Sequence, residues 1–247
     1  MFNALQKAFA QLGDPRLRMV IVKSLLLAIV FYALLWGGLY WAVKGIPLFE
    51  IGWAPAFVNS WLNSMAHWLA GLAAFLLPLL LFPAFFGIMV GLFLDEVADA
   101  VEAKHYPHLG PAPGTPFMVG LWSGVKFLLL LIGVNILLLP VYLVLLLVPP
   151  TSLLLLYAVN GWLCGREYQE QVGIRRLTMR DTGAIRKANG GPVWRTGVAI
   201  AVMGSVPILN LLAPVVGTAM MVHVFQTLRQ PYPMTQRPMP AKATPAR

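Results

Sequence analysis

Gly13-Asp14-Pro15-Arg16-Leu17-Arg18 is the segment best equipped to hold a ligand. Asp14 is a residue type that caps helix starts, and Pro15 suits the first helical position, where its missing N–H would have no partner anyway. The free amides of a helix start, with the macrodipole behind them, attract anions. Arg16, Arg18 and Lys23 add positive charge around that point. The chemistry on offer is therefore oxyanion binding. A plainer reading stands beside it: the same cations serve as positive-inside anchors against lipid headgroups. The Asp14 carboxylate also competes for the N–H groups and repels a dianion.

A second charged cluster is Gly165-Arg166-Glu167-Tyr168-Gln169-Glu170. Arg166 and Glu170 are an i,i+4 pair on one helix face, and a structural ion pair at the membrane interface outranks a transport role. Asn160 lies deeper in the adjoining apolar stretch. A polar side chain at that depth needs a partner or a cavity, and a helix contact can supply one. The four histidines, His67, His105, His108 and His223, are dispersed. His105-Tyr106-Pro107-His108 falls in a loop without carboxylate or cysteine partners, so no metal site is expected. No glycine-rich phosphate loop precedes a Lys-Ser/Thr pair, and no Gly-x-Ser-x-Gly elbow is present. The chain is expected to be neither an enzyme nor an ATP-driven pump, and to carry no cofactor.

The elements that must position these residues are membrane helices. Of 247 residues, 59% are hydrophobic and 11% charged, against about 25% charged in soluble domains. Long continuous apolar runs, rather than short alternating segments, exclude a barrel. The fold class expected is all-α and polytopic. A net charge of +9 could suggest nucleic acid, but Lys and Arg concentrate in loops and tails, as the positive-inside rule requires. The partner expected is the lipid bilayer and not nucleic acid. The one cysteine, Cys164, excludes an internal disulfide.

Along the chain, Phe2, Leu5, Phe9 and Leu12 fall at helical spacing and with Lys7 predict an interfacial helix over residues 1–13. A membrane domain over 14–230 and a disordered basic tail over 231–247 follow. The first apolar segment, Met19 to Val43, is too long for a signal peptide and lacks a cleavage site. A polar stretch, Ile46 to Asn63, offers Trp53 and Trp61 as interface anchors. The second apolar segment, Met65 to Leu94, continues into an acidic amphipathic extension, Asp95 to Lys104. The third, Phe117 to Leu163, is punctuated by Pro140 and Pro149-Pro150, and a basic region runs from Gly165 to Arg195. Gly87/Gly91, Gly120/Gly124 and Gly161/Gly165 are small-residue pairs that let helix backbones approach closely.

The last apolar run, Thr196 to Leu228, is broken at Val206-Pro207-Ile208-Leu209-Asn210-Leu211-Leu212-Ala213-Pro214. A crossing needs about 20 residues, so the run is long for one span and short for two. Pro207 and Pro214 each remove a backbone donor. A re-entrant hairpin with Asn210 near its tip is expected. Charge parity agrees: a single crossing after Arg195 would strand the basic tail outside, whereas a hairpin keeps both termini cytoplasmic. Charge alone leaves open whether the third stretch makes two full spans or one shallow hairpin.

Leu94-Asp95-Glu96-Val97-Ala98-Asp99-Ala100-Val101-Glu102-Ala103-Lys104-His105-Tyr106-Pro107, Gly165-Arg166-Glu167-Tyr168 and Pro207-Ile208-Leu209-Asn210-Leu211-Leu212-Ala213-Pro214 together resemble successive signatures of the CysZ family. This is the bacterial sulfate-permease group related to the eukaryotic etoposide-induced membrane proteins. The resemblance extends from about Arg16 to Arg229. It implies two long transmembrane helices plus two partially inserted helical hairpins, Phe117 to Leu163 and Thr196 to Leu228, in a homo-oligomer of the bacterial inner membrane. It also implies uptake of sulfate for cysteine biosynthesis, through a Gly-Leu-Arg motif at the start of the first long helix. Here Arg16 stands in place of the glycine, Leu17 and Arg18 match, and Met19 follows. The anion-binding set is then Arg16, Leu17, Arg18 and Lys23, for sulfate or a related oxyanion. Asn160, Arg166, Glu167, Glu170, Pro207, Asn210 and Pro214 are the structural or gating candidates. The rival expectation is a non-transporting membrane scaffold or quality-control protein of the same fold.

Overall fold

Long apolar runs interrupted by proline and glycine give helices joined by short turns, and the computed structural model of the chain is built that way. It describes residues 2–43, 51–91 and 93–230. Among the described residues there are nine α-helices, two 3-10 turns and no strand. The helices are α1 (Phe2–Ala10), α2 (Pro15–Val43), α3 (Ala56–Gly91), α4 (Leu94–His105), α5 (Phe117–Leu145), α6 (Pro149–Ile174), α7 (Met179–Ala188), α8 (Gly190–Ser205) and α9 (Pro207–Arg229). The expected tail, 231–247, lies outside the described residues. The chain divides into two compact units, one of residues up to Ile21 and from Leu92 onward, the other Val22–Gly91.

The second unit holds most of α2 and all of α3. α3 starts at Ala56, well before the apolar segment expected from Met65. Asn59 explains the early start: its amide accepts from Ile51 N and donates to Ile51 O, both at 3.1 Å, and so braces the turn ahead of the helix. Trp53 and Trp61 are exposed, as interface anchors require. Leu34, Trp41 and Trp68 are also largely exposed. An apolar helical surface of this kind is stable against hydrocarbon, where no hydration penalty arises.

The first unit is organised around α9. Val215, Val216, Ala219, Met220, Met221, Val222 and Phe225 are fully buried, and α8, α6, α4 and α1 pack around them. α6 and α8 cross closely because Gly161 and Gly165 face Gly197: a Cβ at Gly197 would collide with the backbone of both. The small-residue reading of this pair is therefore correct, and its partner is α8. Gly124, by contrast, faces open space.

Both proline-marked hairpins form. α5 carries Pro140 inside it and ends at Leu145; α6 opens on Pro149-Pro150. The break in the last run is a single residue, Val206 (φ −97°, ψ 120°), with Pro207 at the first position of α9. Asn210 N bonds Val206 O at 2.7 Å, which places Asn210 in the first turn past the tip. Pro214 does not break the chain and sits inside α9. The basic region differs from a loop more strongly. α6 continues to Ile174, α7 occupies Met179–Ala188 and α8 begins at Gly190, so Arg166, Arg180, Arg186, Lys187 and Arg195 all sit on helices. Thr178 caps α7, accepting from Asp181 N at 3.2 Å and donating to Asp181 Oδ2 at 2.8 Å, a reciprocal cap that nucleates a helix in charged sequence.

Among the described residues three helices are long and apolar enough to cross a membrane: Pro15–Gly38, Phe117–Leu145 and Leu209–Arg229. Their surroundings differ. None of the α5 window is buried inside the protein, whereas 67% of the α9 window is.

Candidate functional site

The start of α2 is formed as its sequence requires. Asp14 caps it, with Oδ1 accepting from Arg16 N at 3.0 Å and its carbonyl accepting from Arg18 N at 3.0 Å. Its other carboxylate oxygen lies 3.5 Å from Lys104 Nζ. One turn earlier Gln11, itself buried, donates to Ala100 O at 3.3 Å. The helix start is thus tied to α4 at two points. Leu17 is fully buried, while Arg16 and Arg18 on either side of it are exposed. The capping carboxylate has a consequence for binding. It occupies an amide that an anion would use, which leaves the two guanidinium groups as the exposed positive charges of this helix start. Lys23 falls in the other unit.

α4 is held from its far side by a charge cluster that motif reading missed. Arg175, just past α6, is buried at 2% exposure. Its guanidinium forms ion pairs with Asp95 Oδ1 at 3.1 Å, Glu102 Oε2 at 3.3 Å and the Asp99 carboxylate. Arg176 grips Glu102 with two bonds, Nε to Oε1 at 3.0 Å and Nη2 to Oε2 at 2.9 Å. It also donates to the carbonyls of Leu109 and Gly110. Gln226 of α9 donates to Glu102 Oε1 at 2.8 Å. A fork of this kind is the strong form of ion pair, directional as well as charged. Burial pushes the Asp95 carboxyl up despite Arg175 beside it, Asp99 adding in the same direction. The only sequence signal was charge sign: an acidic helix and a basic pair 73 residues apart, Glu102 to Arg175.

Glu170 is a second junction. Ser123 Oγ of α5 donates to it at 2.8 Å and Arg186 of α7 at 3.0 Å, while Arg166 stands at 4.0 Å. The expected Arg166–Glu170 pair exists, but it is the longest of the three links. Glu170 joins three helices rather than ending one.

Four of the gating candidates come together. Asn160, Glu167, Asn210 and Pro214 line one cavity of about 370 Å³ between α6, α8 and α9, with Tyr157 at its edge donating to Ser205 Oγ at 3.0 Å. Asn160 donates to Leu156 O at 2.9 Å, one turn back on its own helix. Glu167, beyond the apolar part of α6, accepts from Gln171 Nε2 at 3.1 Å. Burial pushes its carboxyl up to about 7. Pro207 does not line this cavity; it sits at the hairpin tip. Among the described residues no group of three or more His, Cys, Asp and Glu could hold a metal ion.

The arrangement therefore offers a cationic helix start and a small polar cavity inside a bundle of apolar helices. The family model described as Sulfate transporter CysZ/Etoposide-induced protein 2.4 matches residues 4–214. No individually curated protein matches the chain.

Proposed function

The chain belongs to the sulfate transporter CysZ/etoposide-induced protein 2.4 family, and from that premise we propose that it is an anion permease admitting sulfate or a related oxyanion for cysteine biosynthesis. It is a multi-pass membrane protein, and the reading places it in the bacterial inner membrane as a homo-oligomer with both termini cytoplasmic. The observation that carries the proposal is the start of α2. Leu17 is fully buried and anchors the turn, which leaves Arg16 and Arg18 directed away from the packed side. Two exposed cations held on a rigid helical turn suit a passing anion better than a loop would, because little side-chain and backbone freedom is lost on contact. Asp14 restrains the affinity by taking an amide and adding negative charge, and a permeation site must release what it binds.

The test is sulfate flux into proteoliposomes of the purified chain, with Arg18→Ala alongside. Flux well above empty vesicles is expected, falling at least about tenfold in the variant, the scale of one charge-assisted contact. Flux no greater than in empty vesicles removes the proposal. The capped helix start also favours a second reading, in which Arg16 and Arg18 meet lipid headgroups and the protein is a non-transporting scaffold or quality-control factor. That reading requires a stoichiometric co-purifying partner and normal sulfate uptake in a deletion strain.

A further inference from the structure

His105 and His223 look unrelated in the sequence, yet their rings meet edge to face with centroids 4.8 Å apart. Tyr106 Oη lies 3.0 Å from His223 Nδ1. His223 is buried at 4% exposure, and its Nε2 has no hydrogen-bond partner among the described residues. Burial, with Glu102 nearby, pushes the Tyr106 phenol up, so it keeps its proton and can donate to Nδ1. A neutral imidazole that accepts at Nδ1 carries its proton on Nε2. In the tautomer where Tyr106 donates, a buried N–H donor is left over at Nε2, and a buried orphan of this kind asks for an explanation.

His223 and Tyr106 line a cavity of about 440 Å³ where α1, α8 and α9 converge, and Lys7 of α1 and Arg195 of α8 stand in its wall. Among the described residues neither cation forms a salt bridge and no carboxylate lines the space. His105, beside it, has its pKa lowered by burial first and then by the charges of Lys7 and Lys104. The fixed charge at the cavity is therefore that of Lys7 and Arg195. Val224 and Leu228 supply an apolar wall. The volume falls in the usual range for organic ligands, roughly 300–1,000 Å³, and is several times what a bare tetrahedral oxyanion fills.

We propose that this cavity binds a phosphate ester, with Lys7 and Arg195 on the phosphate, the His223 Nε2–H donating to it, and the organic body against Val224 and Leu228. The ester comes either from solution, as a phosphomonoester, or from an anionic lipid headgroup. The site is separate from the α2 start and does not rest on the transport reading.

The test uses the full chain labelled with 15N-histidine in nanodiscs. Adenosine 5′-monophosphate is titrated into discs of phosphatidylcholine alone, and a parallel preparation contains phosphatidylglycerol. Both are repeated with a Lys7→Ala/Arg195→Ala double variant, whose two substitutions fall on exposed side chains and spare the fold. Saturable binding of the nucleotide that moves the His223 Nε2 resonance, and weakens about tenfold or more in the variant, identifies a soluble phosphomonoester. The same resonance shift appearing only with phosphatidylglycerol, and lost in the variant, identifies a lipid headgroup. Lys187→Ala, a charge change on α7, should leave either response intact. If neither ligand moves His223, or if the double variant responds as the wild type does, the proposal is overturned.

Discussion

Glu102 and Glu167 carry the same side chain in opposite surroundings. Glu102 is nearly fully buried, with Arg175, Arg176 and Gln226 on its two oxygens. Removing one partner from such a cluster strands the other charges, which costs about 3–5 kcal/mol where it has been measured. Glu167 accepts from one amide among the described residues, Gln171, and burial pushes its carboxyl up to about 7. In the unfolded chain the same carboxyl ionises near its ordinary value of 4.5. Between those two values the folded state holds more protons than the unfolded state, so stability is present at low pH and is lost as pH rises toward 7 and beyond. Glu167→Gln should remove that loss. Thermal unfolding in detergent at pH 4 and pH 8 checks this: the variant should gain on the wild type at pH 8, by up to the order of 3 kcal/mol, and hardly at all at pH 4. An equal effect at both pH values would mean that Glu167 is already charged and compensated.

At the scale of elements, the α6–α8 crossing decides how tightly the first unit closes. Gly197 lies against the backbone of Gly161 and Gly165, where nothing flexible can yield. Gly197→Val should force the helices apart and cost about 1–3 kcal/mol or more. Gly204, on the same helix, meets nothing within 4 Å, and Gly204→Ala should be neutral or gain up to ~1 kcal/mol from helix propensity. Unfolding midpoints of the two variants in one detergent make the comparison; equal losses would refute the close crossing. The Gly161-x-x-x-Gly165 spacing was visible in the sequence, but equally visible was Gly120-x-x-x-Gly124, whose Gly124 faces open space. Spacing states which residues could pack and cannot state against what. The turn at Pro207 was legible for a sounder reason, while a hairpin at Pro149-Pro150 was one of two readings until the resemblance chose it. Proline in first-turn positions stops one helix and starts the next, and both Pro149-Pro150 and Pro207 do so. Pro140 and Pro214 carry the same residue without the effect, being absorbed inside α5 and α9.

For the whole molecule, we take the proposed permease to be channel-like and without an ATPase, and that has an electrical consequence. Carrying a dianion inward against 100 mV costs roughly 4.6 kcal/mol, twice the single-charge value. That is about a 10³-fold opposing gradient, so uptake depends on rapid consumption of sulfate inside or a high supply outside. Proteoliposomes clamped at about 100 mV, interior negative, should therefore accumulate about 10³-fold less sulfate at equilibrium than unclamped ones. Accumulation indifferent to the potential would point to coupling with another ion.

The sequence alone determined the fold class and the break at Pro207, which rest on local properties: apolar run length against bilayer thickness, proline's missing N–H, and charge distribution along the chain. Family membership, and with it the choice of a hairpin for Phe117 to Leu163, came from the resemblance of three motifs, and the helices of the basic region were not legible. The cap at the start of α2 was legible for the same reason, since Asp14 acts on an amide two residues away. Only the tertiary structure decided which distant polar groups meet. Glu102 finds Arg175, Arg176 and Gln226 across 73 to 124 residues, and His223 finds Tyr106 across 117. Asn160 and Asn210 turn out to share a cavity with Glu167. Such pairings carry no periodicity and no spacing rule. They are selected by helix packing around α9, which fixes the buried polar groups that come within reach of one another.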